Sequence, residues 1–267
     1  MASPPVDESR SELPAQIQEN LTAYMRLFAG LPGMVLHDAE TFWFVSNHHA
    51  PGNIILRTRW PNEHSEERID ELLEQIGRHT NHIDWMVFPG DQPADLGKHL
   101  EERGMPGGPG GTWLWADLTS LGPGPVVPDL FHIEQVRDDR TMAEWVCVSE
   151  AGFGQELGWF YDAYSRHGYG PDAFSLHYIG YLDATPVTSG TLLDAGGSAT
   201  IYDVSTPHAF RRQGVGGALT HALMREIRNR GYAETWIWSS NMAKSVYQRL
   251  GYVDVDFGLR EHVWEKR

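Results

Sequence analysis

The chain has 267 residues, of which 41% are hydrophobic, enough for one large or two modest globular domains, and no stretch approaches the roughly 20 consecutive apolar residues of a membrane span. A formal net charge of −15 argues against duplex nucleic acid as a partner, because phosphate contacts need a basic surface, and favours approach of a cationic substrate such as an amine. Cys147 is the only cysteine, which rules out an intrachain disulfide and a cysteine metal cluster and fits a reducing cytoplasm; residues 1–10 are polar and proline-bearing, without the basic start and apolar core of a secretory signal.

In chain order, the first half reads as a helix over 12–29, strands over 34–37, 41–46 and 53–59, a helix over 65–78, a strand over 84–88, a helix over 93–103 and a strand over 112–117. The glycine-rich piece 104–111 predicts a loop. Residues 118–130, LTSLGPGPVVPDL, carry three prolines and two glycines and predict a linker, since proline neither continues a helix nor donates to a central ladder.

The second half predicts a strand over 131–136, helices over 138–150 and 156–167, strands over 174–182, 186–193 and 199–204, a long helix over 214–230, a strand over 235–238, a helix over 242–250 and a returning strand from Tyr252. Strands followed by alternating helices and strands indicate a mixed α/β sheet with helices on both faces. Gly152-Phe153-Gly154 predicts a mobile loop, and Cys147 a small buried side chain. The pairs His48-His49 and His79-x-x-His82 have no acidic or cysteine partner at ligand spacing, so surface histidines and no metal are expected.

The chemistry concentrates where the 199–204 strand meets the 214–230 helix. Arg211, Gly214 and Gly216 form R-x-x-G-x-G, with Arg212, Gln213, Val215 and Gly217 filling the turn. A strand feeding a glycine turn that opens a helix makes an anion site: the first N–H groups point outward without intrahelical partners, the helix dipole adds positive potential, and glycine lets phosphate approach the backbone. Neither G-x-G-x-x-G nor Gly-Lys-Ser/Thr is present, which sets aside the dinucleotide and nucleoside-triphosphate loops.

The segment resembles the pyrophosphate-binding motif of the GNAT acetyltransferase superfamily. A second motif, Ser240-Asn241 through Ala243 and Tyr247 to Gly251-Tyr252, resembles that family's closing helix. The resemblance covers roughly residues 130–260. It implies that Val204, Ser205 and Thr206 offer backbone groups to a pantetheine arm, that residues 212–217 cradle a pyrophosphate, that Ser240 and Asn241 stand at the polar start of the closing helix, and that Tyr247 protonates a departing thiolate. Two departures stand out: His208 occupies the place of a common proline, and Ser240 that of a common asparagine. No glutamate lies on the preceding strand; Tyr202, Asp203, His177 and His208 are candidates for a general base, with Tyr202 and Asp203 on opposite strand faces.

The first half repeats the second half's element order minus its first strand. Trp85-Met-Val-Phe and a helix ending at Gly104 parallel Trp236-Ile-Trp and a helix ending at Gly251. A tandem GNAT arrangement follows, similar in architecture to mycothiol synthases: a degenerate first domain over 1–118, a linker over 119–129 and a catalytic domain over 130–267. The first domain lacks R-x-x-G-x-G, starts its helix at Ser65 with Glu66 and Glu67, and has Leu100 where the count from glycine places Tyr247. The resemblance implies an N-acetyltransferase using acetyl-CoA as co-substrate on a small-molecule amine or peptide; the other class compatible with the motifs is a non-catalytic acyl-CoA-binding or partner-binding module.

Overall fold

The computed structural model describes residues 11–61, 65–170 and 173–266. The expectation for residues 1–10, and part of the sequence after the third strand, lie outside them. Two compact units emerge, and their boundaries are not those of the two halves. One comprises residues 1–111 and 256–267, the other residues 112–255. These bounds do not coincide with the expected division at 118 and 130: the strand at 112–117 falls in the second unit and the strand at 260–265 in the first.

The first unit contains α1 (Leu13–Arg26), β1 (Met34–Asp38), β2 (Thr41–Ser46), β3 (Ile54–Thr58), α2 (Ser65–Ile76), β4 (His82–Val87), α3 (Leu96–Glu102), β5 (Gly107–Gly108) and, from the chain's end, β13 (Arg260–Glu265). Its sheet runs β1-β2-β3-β4-β13-β5, with only β3 and β4 parallel. Strand alternation sends Trp43, Ile55 and Trp85 to one face, where Ile69 and Ile76 of α2 and Leu100 of α3 cover them. Phe44 points the other way and meets Phe28, just beyond α1, at 6.4 Å between ring centroids. The expected loop at 104–111 thus holds a short strand. Its glycines admit buried His262 of β13: a Cβ on Gly107 would lie 3.1 Å from the imidazole, whose Nδ1 is 2.8 Å from the Met105 carbonyl.

The second unit begins with β6 (Thr112–Asp117) and continues through β7 (Phe131–Gln135), α4 (Asp139–Phe153), α5 (Gly158–Ser165), β8 (Ser175–Leu182), β9 (Thr185–Ala195), β10 (Ser198–Ser205), a 3₁₀ turn (His208–Phe210), α6 (Val215–Asn229), β11 (Glu234–Ser239), α7 (Lys244–Arg249) and β12 (Val253–Asp254). The single strand expected from Tyr252 is therefore two, β12 here and β13 in the first unit. Strands β10-β9-β8-β7 form one antiparallel ladder, and β11-β6-β12 a second. Leu219, Leu223 and Ile227 of α6 pack on Leu176, Leu192 and Ile201. On the opposite face Trp145 of α4 donates to the Gly190 carbonyl at 3.2 Å. Cys147 is exposed, contrary to expectation, because helical periodicity turns Met142, Trp145, Val146 and Ser149 inward and leaves position 147 outside. Among the described residues no helix is long and apolar enough to cross a membrane.

Both units show the same helix-to-strand corner. Gly104 and Gly251 have left-handed φ of +80° and +99°, and the next residue's N–H returns to the fifth-previous carbonyl, Met105 to Leu100 at 3.1 Å and Tyr252 to Tyr247 at 3.2 Å. The exchange of β6 and β13 yields a test. Deleting residues 256–267 removes β13 from between β4 and β5. Hydrogen exchange should then show lost protection in β4 with protection of β8 retained; unchanged protection of β4 would show that its sheet does not depend on the exchanged strand.

Candidate active site

No ladder joins β10 to β11. They are held near their first residues by side chains, Thr235 Oγ1 donating to the Ala199 carbonyl at 2.9 Å and Thr200 Oγ1 to the Trp236 carbonyl. Beyond these contacts β10 carries a bulge. Its register to β9 slips between Tyr202 and Ser205, and Asp203 has φ +54°. Simple alternation therefore fails at this point. Tyr202 turns toward Trp236, with ring centroids 6.2 Å apart, while Asp203 Oδ2 accepts a 2.6 Å bond from the Tyr164 hydroxyl.

After β10 the chain turns through Pro207 to Gln213 into α6. Gly214 is the N-cap, at φ +84°, and no side chain caps the helix. Helix α4 in the same unit is closed by a capping box in which Asp138 accepts from Thr141 N at 2.8 Å. The start of α6, by contrast, presents the N–H groups of Val215, Gly216 and Gly217 with no side-chain acceptor and no acidic residue in the first turn. A Cβ on Gly216 would lie 2.8 Å from Thr206 Oγ1, and one on Gly214 2.6 Å from the Val126 carbonyl. Gly214 thus serves the turn's conformation and also the seat of the proline-glycine linker. That linker is docked on α6: the Gly122 carbonyl is 2.8 Å from His221 Nε2.

The residues expected at the site divide by orientation. Val204 is half-buried and lies within the bulge, outside the ladder. The Ser205 side chain is turned into the core, where Ser149, Ser189 and Ser205 form a chain of hydroxyl contacts, each 2.8 Å; its carbonyl accepts from Thr188 at 2.7 Å. Arg211, expected to add charge for phosphate, acts as a strut: its Nε donates to the Thr206 carbonyl at 3.0 Å and an Nη to the Gly152 carbonyl at 2.9 Å. Exposed Arg212, at φ +63°, and exposed Gln213 remain on the turn. Ser240 Oγ accepts from Ala243 N at 3.3 Å and starts the closing turn, while Asn241 Oδ1 accepts from Thr112 at 3.1 Å. Tyr247 is buried, with its ring 5.9 Å from Tyr252 and its hydroxyl pKa raised by desolvation.

Gly152 was not read as a site residue. Helix α4 runs through Phe153 and ends at Gly154 with φ +72°, so the expected mobile loop is a helix terminus. A side chain at Gly152 would lie 2.7 Å from the Ser205 Cβ, so only glycine lets α4 reach β10 and present its carbonyl to Arg211. His208 is exposed on the 3₁₀ turn. His177 is buried between Ser175 Oγ at 3.0 Å and Thr191 Oγ1 at 2.9 Å, its ring 4.0 Å from that of Tyr164. Burial first, and the charge of His167 second, pull its pKa down to about 3, so it stays neutral and acts as a fixed spacer.

A family model described as Acetyltransferase (GNAT) domain matches residues 177–262. No curated protein sequence matches the chain significantly. Among solved structures, a GCN5-related N-acetyltransferase from Kribbella flavida is similar with TM-score 0.65 at 15% identity, covering 96% of this chain and 95% of that one. A tandem GNAT protein from the clavulanic acid biosynthesis pathway gives TM-score 0.59 at 14% identity, with coverage of 98% and 96%. A GCN5-related N-acetyltransferase from Sphaerobacter thermophilus gives 0.58 at 13%, with 99% and 95%. The chain has the mixed α/β GNAT fold in tandem, across nearly its whole length.

His177 generates a stability prediction. An unfolded histidine titrates near 6.5 and this one near 3. Below 6.5 the unfolded chain therefore takes up a proton that the folded one does not, and the stability present above 6.5 is lost as pH falls toward 3, by up to about 1.4 kcal/mol per unit. Denaturant midpoints should decline over that window. The decline should be shallower in His177→Gln, which cannot titrate; an identical slope in both would assign it to other groups.

Proposed function

We propose that the second unit is an acyl-CoA-dependent N-acyltransferase that transfers acetyl from acetyl-CoA to a primary amine of a small molecule or peptide, by direct attack in a ternary complex. The carrying observation is the glycine start of α6, with no side-chain cap, beside the edge of β10 that no ladder joins to β11. The backbone of residues 212–217, with the Arg212 guanidinium, suits a pyrophosphate. The bulged backbone at Val204 and the Thr206 region suits a pantetheine amide chain, which needs strand-like hydrogen-bonding groups. Ser205 supports this through position only, its hydroxyl being committed to the core. A metal has no part in the reading.

Tyr247 is assigned the proton that a departing thiolate requires. Desolvation keeps its hydroxyl protonated, as an acid must be before the reaction. The net charge of −15 favours a cationic amine over an anionic acceptor. A cytoplasmic setting is part of the same reading.

The first unit is proposed to bind no coenzyme. Helix α2 opens with Glu66 and Glu67, which oppose an anion at its start. The space beyond the β3–β4 pairing, where β10 and β11 lack a ladder in the other unit, is filled. Buried Asp91 accepts from Thr58 N at 3.2 Å, Phe88 N at 2.9 Å and Gln18 at 2.8 Å, while Gln92 N donates to the Thr58 carbonyl at 2.9 Å. Leu100, fully buried, stands where the second unit has Tyr247.

Titration with coenzyme A should find one site per chain, weakened at least about 10-fold in Gly216→Glu and in Arg212→Asn, the latter chosen because asparagine tolerates the left-handed backbone. Affinity equal to wild type in both variants, or two sites per chain, would overturn the assignment. Tyr247→Phe should lower kcat about 10- to 10⁴-fold with coenzyme affinity nearly unchanged. An unchanged kcat with chemistry rate-limiting would return Tyr247 to the core.

A further inference from the structure

We infer that Arg211 is a positioning residue: it carries coenzyme occupancy from the turn before α6 to the end of α4, and residues 150–157 stiffen as coenzyme binds. This rests on the acyltransfer reading above. Each nitrogen of the guanidinium is engaged. Nε donates to the Thr206 carbonyl at 3.0 Å, one Nη to the Gly152 carbonyl at 2.9 Å, and the other Nη lies 3.9 Å from the Met242 sulfur. Thr206 and Arg211 bracket the turn that leads into α6, while Gly152 belongs to the last turn of α4. One side chain therefore reaches from the glycine turn to a helix on the opposite face of the sheet.

The end of α4 is where such a contact has most effect. The last carbonyls of a helix have no intrahelical donor, and they carry the negative end of its dipole. Here the Glu150 carbonyl accepts from Gly154 N at 2.8 Å, and that of Gly152 accepts from Arg211, a cation at the end that favours one. Beyond Gly154, at left-handed φ, the chain folds back until Leu157 N donates to the Glu150 carboxylate at 2.8 Å. Ala151, Phe153, Gly154 and Glu156 are exposed, so little apolar burial holds this stretch and local opening costs little.

The same helix end rests on the strand proposed for the pantetheine arm. A Cβ on Gly152 would lie 2.9 Å from Thr206 N, and Ser205 Oγ donates to the Val148 carbonyl at 3.3 Å. A pyrophosphate gripped by the N–H groups of residues 212–217 fixes the turn, and a fixed turn fixes Arg211. Opening the end of α4 would then leave that guanidinium without its Gly152 acceptor, so the opening becomes rarer. Such coupling is reciprocal, and order at the helix end also favours the bound coenzyme. Further on, Leu157 is the N-cap of α5, and α5 returns to β10 through the Tyr164–Asp203 bond. The stretch is thus tied to β10 and its turn at both ends. Coenzyme binding sets this border of the thioester's place before an amine arrives.

Hydrogen exchange of the full chain, with and without coenzyme A, is the test. In the wild type, saturating coenzyme A should slow exchange about 10-fold over residues 150–157 as well as over 212–217. Arg211→Gln removes the charge and cannot bridge two carbonyls. Gly152→Ala forces α4 off Ser205 and leaves the guanidinium intact. In both variants coenzyme A should still protect 212–217, while the slowing over 150–157 should vanish; retained protection of β8 checks that the fold stands. A merely structural strut would give the same exchange over 150–157 with and without coenzyme. Coenzyme affinity should stay within about 3-fold of wild type in Arg211→Gln, since no phosphate contact is lost. No slowing over 150–157 in the wild type, or slowing retained in either variant, would overturn the inference. Faster exchange there on binding, or a larger loss of affinity in Arg211→Gln, would also overturn it, making Arg211 a phosphate ligand that leaves Gly152. Failure of the wild type to bind coenzyme A would instead remove the reading beneath it.

Discussion

Strand β6 lies between β11 and β12, and the second unit's site depends on that insertion. Its ladder to β11 runs from Thr112–Ser239 to Asp117–Glu234, and its other edge holds Val253 and Asp254. Side chains reinforce the pairing: Trp113 stacks on Trp238 at 5.2 Å and 5° between planes, and the Trp115 indole donates to Glu234 at 2.7 Å. Because β6 satisfies one edge of β11, the other edge can meet β10 through a few side chains in place of a full ladder. An unpaired strand edge inside a protein is normally costly. In the acyltransfer proposal it is the place that would receive a chain with amide groups. The first unit has the equivalent insertion, β13 between β4 and β5, and yet its corresponding gap is filled by Asp91 and Gln92.

Three helix starts show how local sequence sets what each end can bind. Helix α4 spends its orphan N–H groups on Asp138 and Thr141, and α2 places carboxylates in its first turn. Helix α6 does neither, with glycine at the cap and no acid following. The same backbone physics thus gives a closed end, a repelling end and an open one. Around the open end several polar groups are satisfied internally. Arg211 ties Thr206 to Gly152, and the Ser149–Ser189–Ser205 chain fixes β10 from beneath, so the turn is held without using groups that a phosphate requires.

Element types were legible where the apolar period was clear. The α6 pattern of Leu219, Leu223 and Ile227, the strand pairs of β8 and β9, and the glycine corners at Gly104 and Gly251 all follow from local rules. The site's backbone was legible for the same reason, since Gly214 and the uncapped helix start are properties of consecutive residues. The side chains were less so. Arg211 reads as a phosphate ligand in sequence because a guanidinium near a glycine turn suggests one; its strut role depends on Gly152, distant in the chain. The Phe153 segment reads as a loop because two glycines flank it, while its helix persists because Gly152 is packed on Ser205. Asp203 defeats alternation because a bulge is a two-strand property, invisible in one strand's sequence.

By itself the sequence determined the mixed α/β class, the repeated element order, the glycine turn that opens α6 and the tyrosine four residues before Gly251, because each rests on periodicity or on residues adjacent in the chain. Only the tertiary structure decided that the strands at 112–117 and 260–265 change places between the units, because strand pairing depends on which strands meet in space, which no run of consecutive residues records. It also decided that Tyr164 meets Asp203, since that bond joins a helix and a bulge that nothing short of the packed fold brings within 2.6 Å.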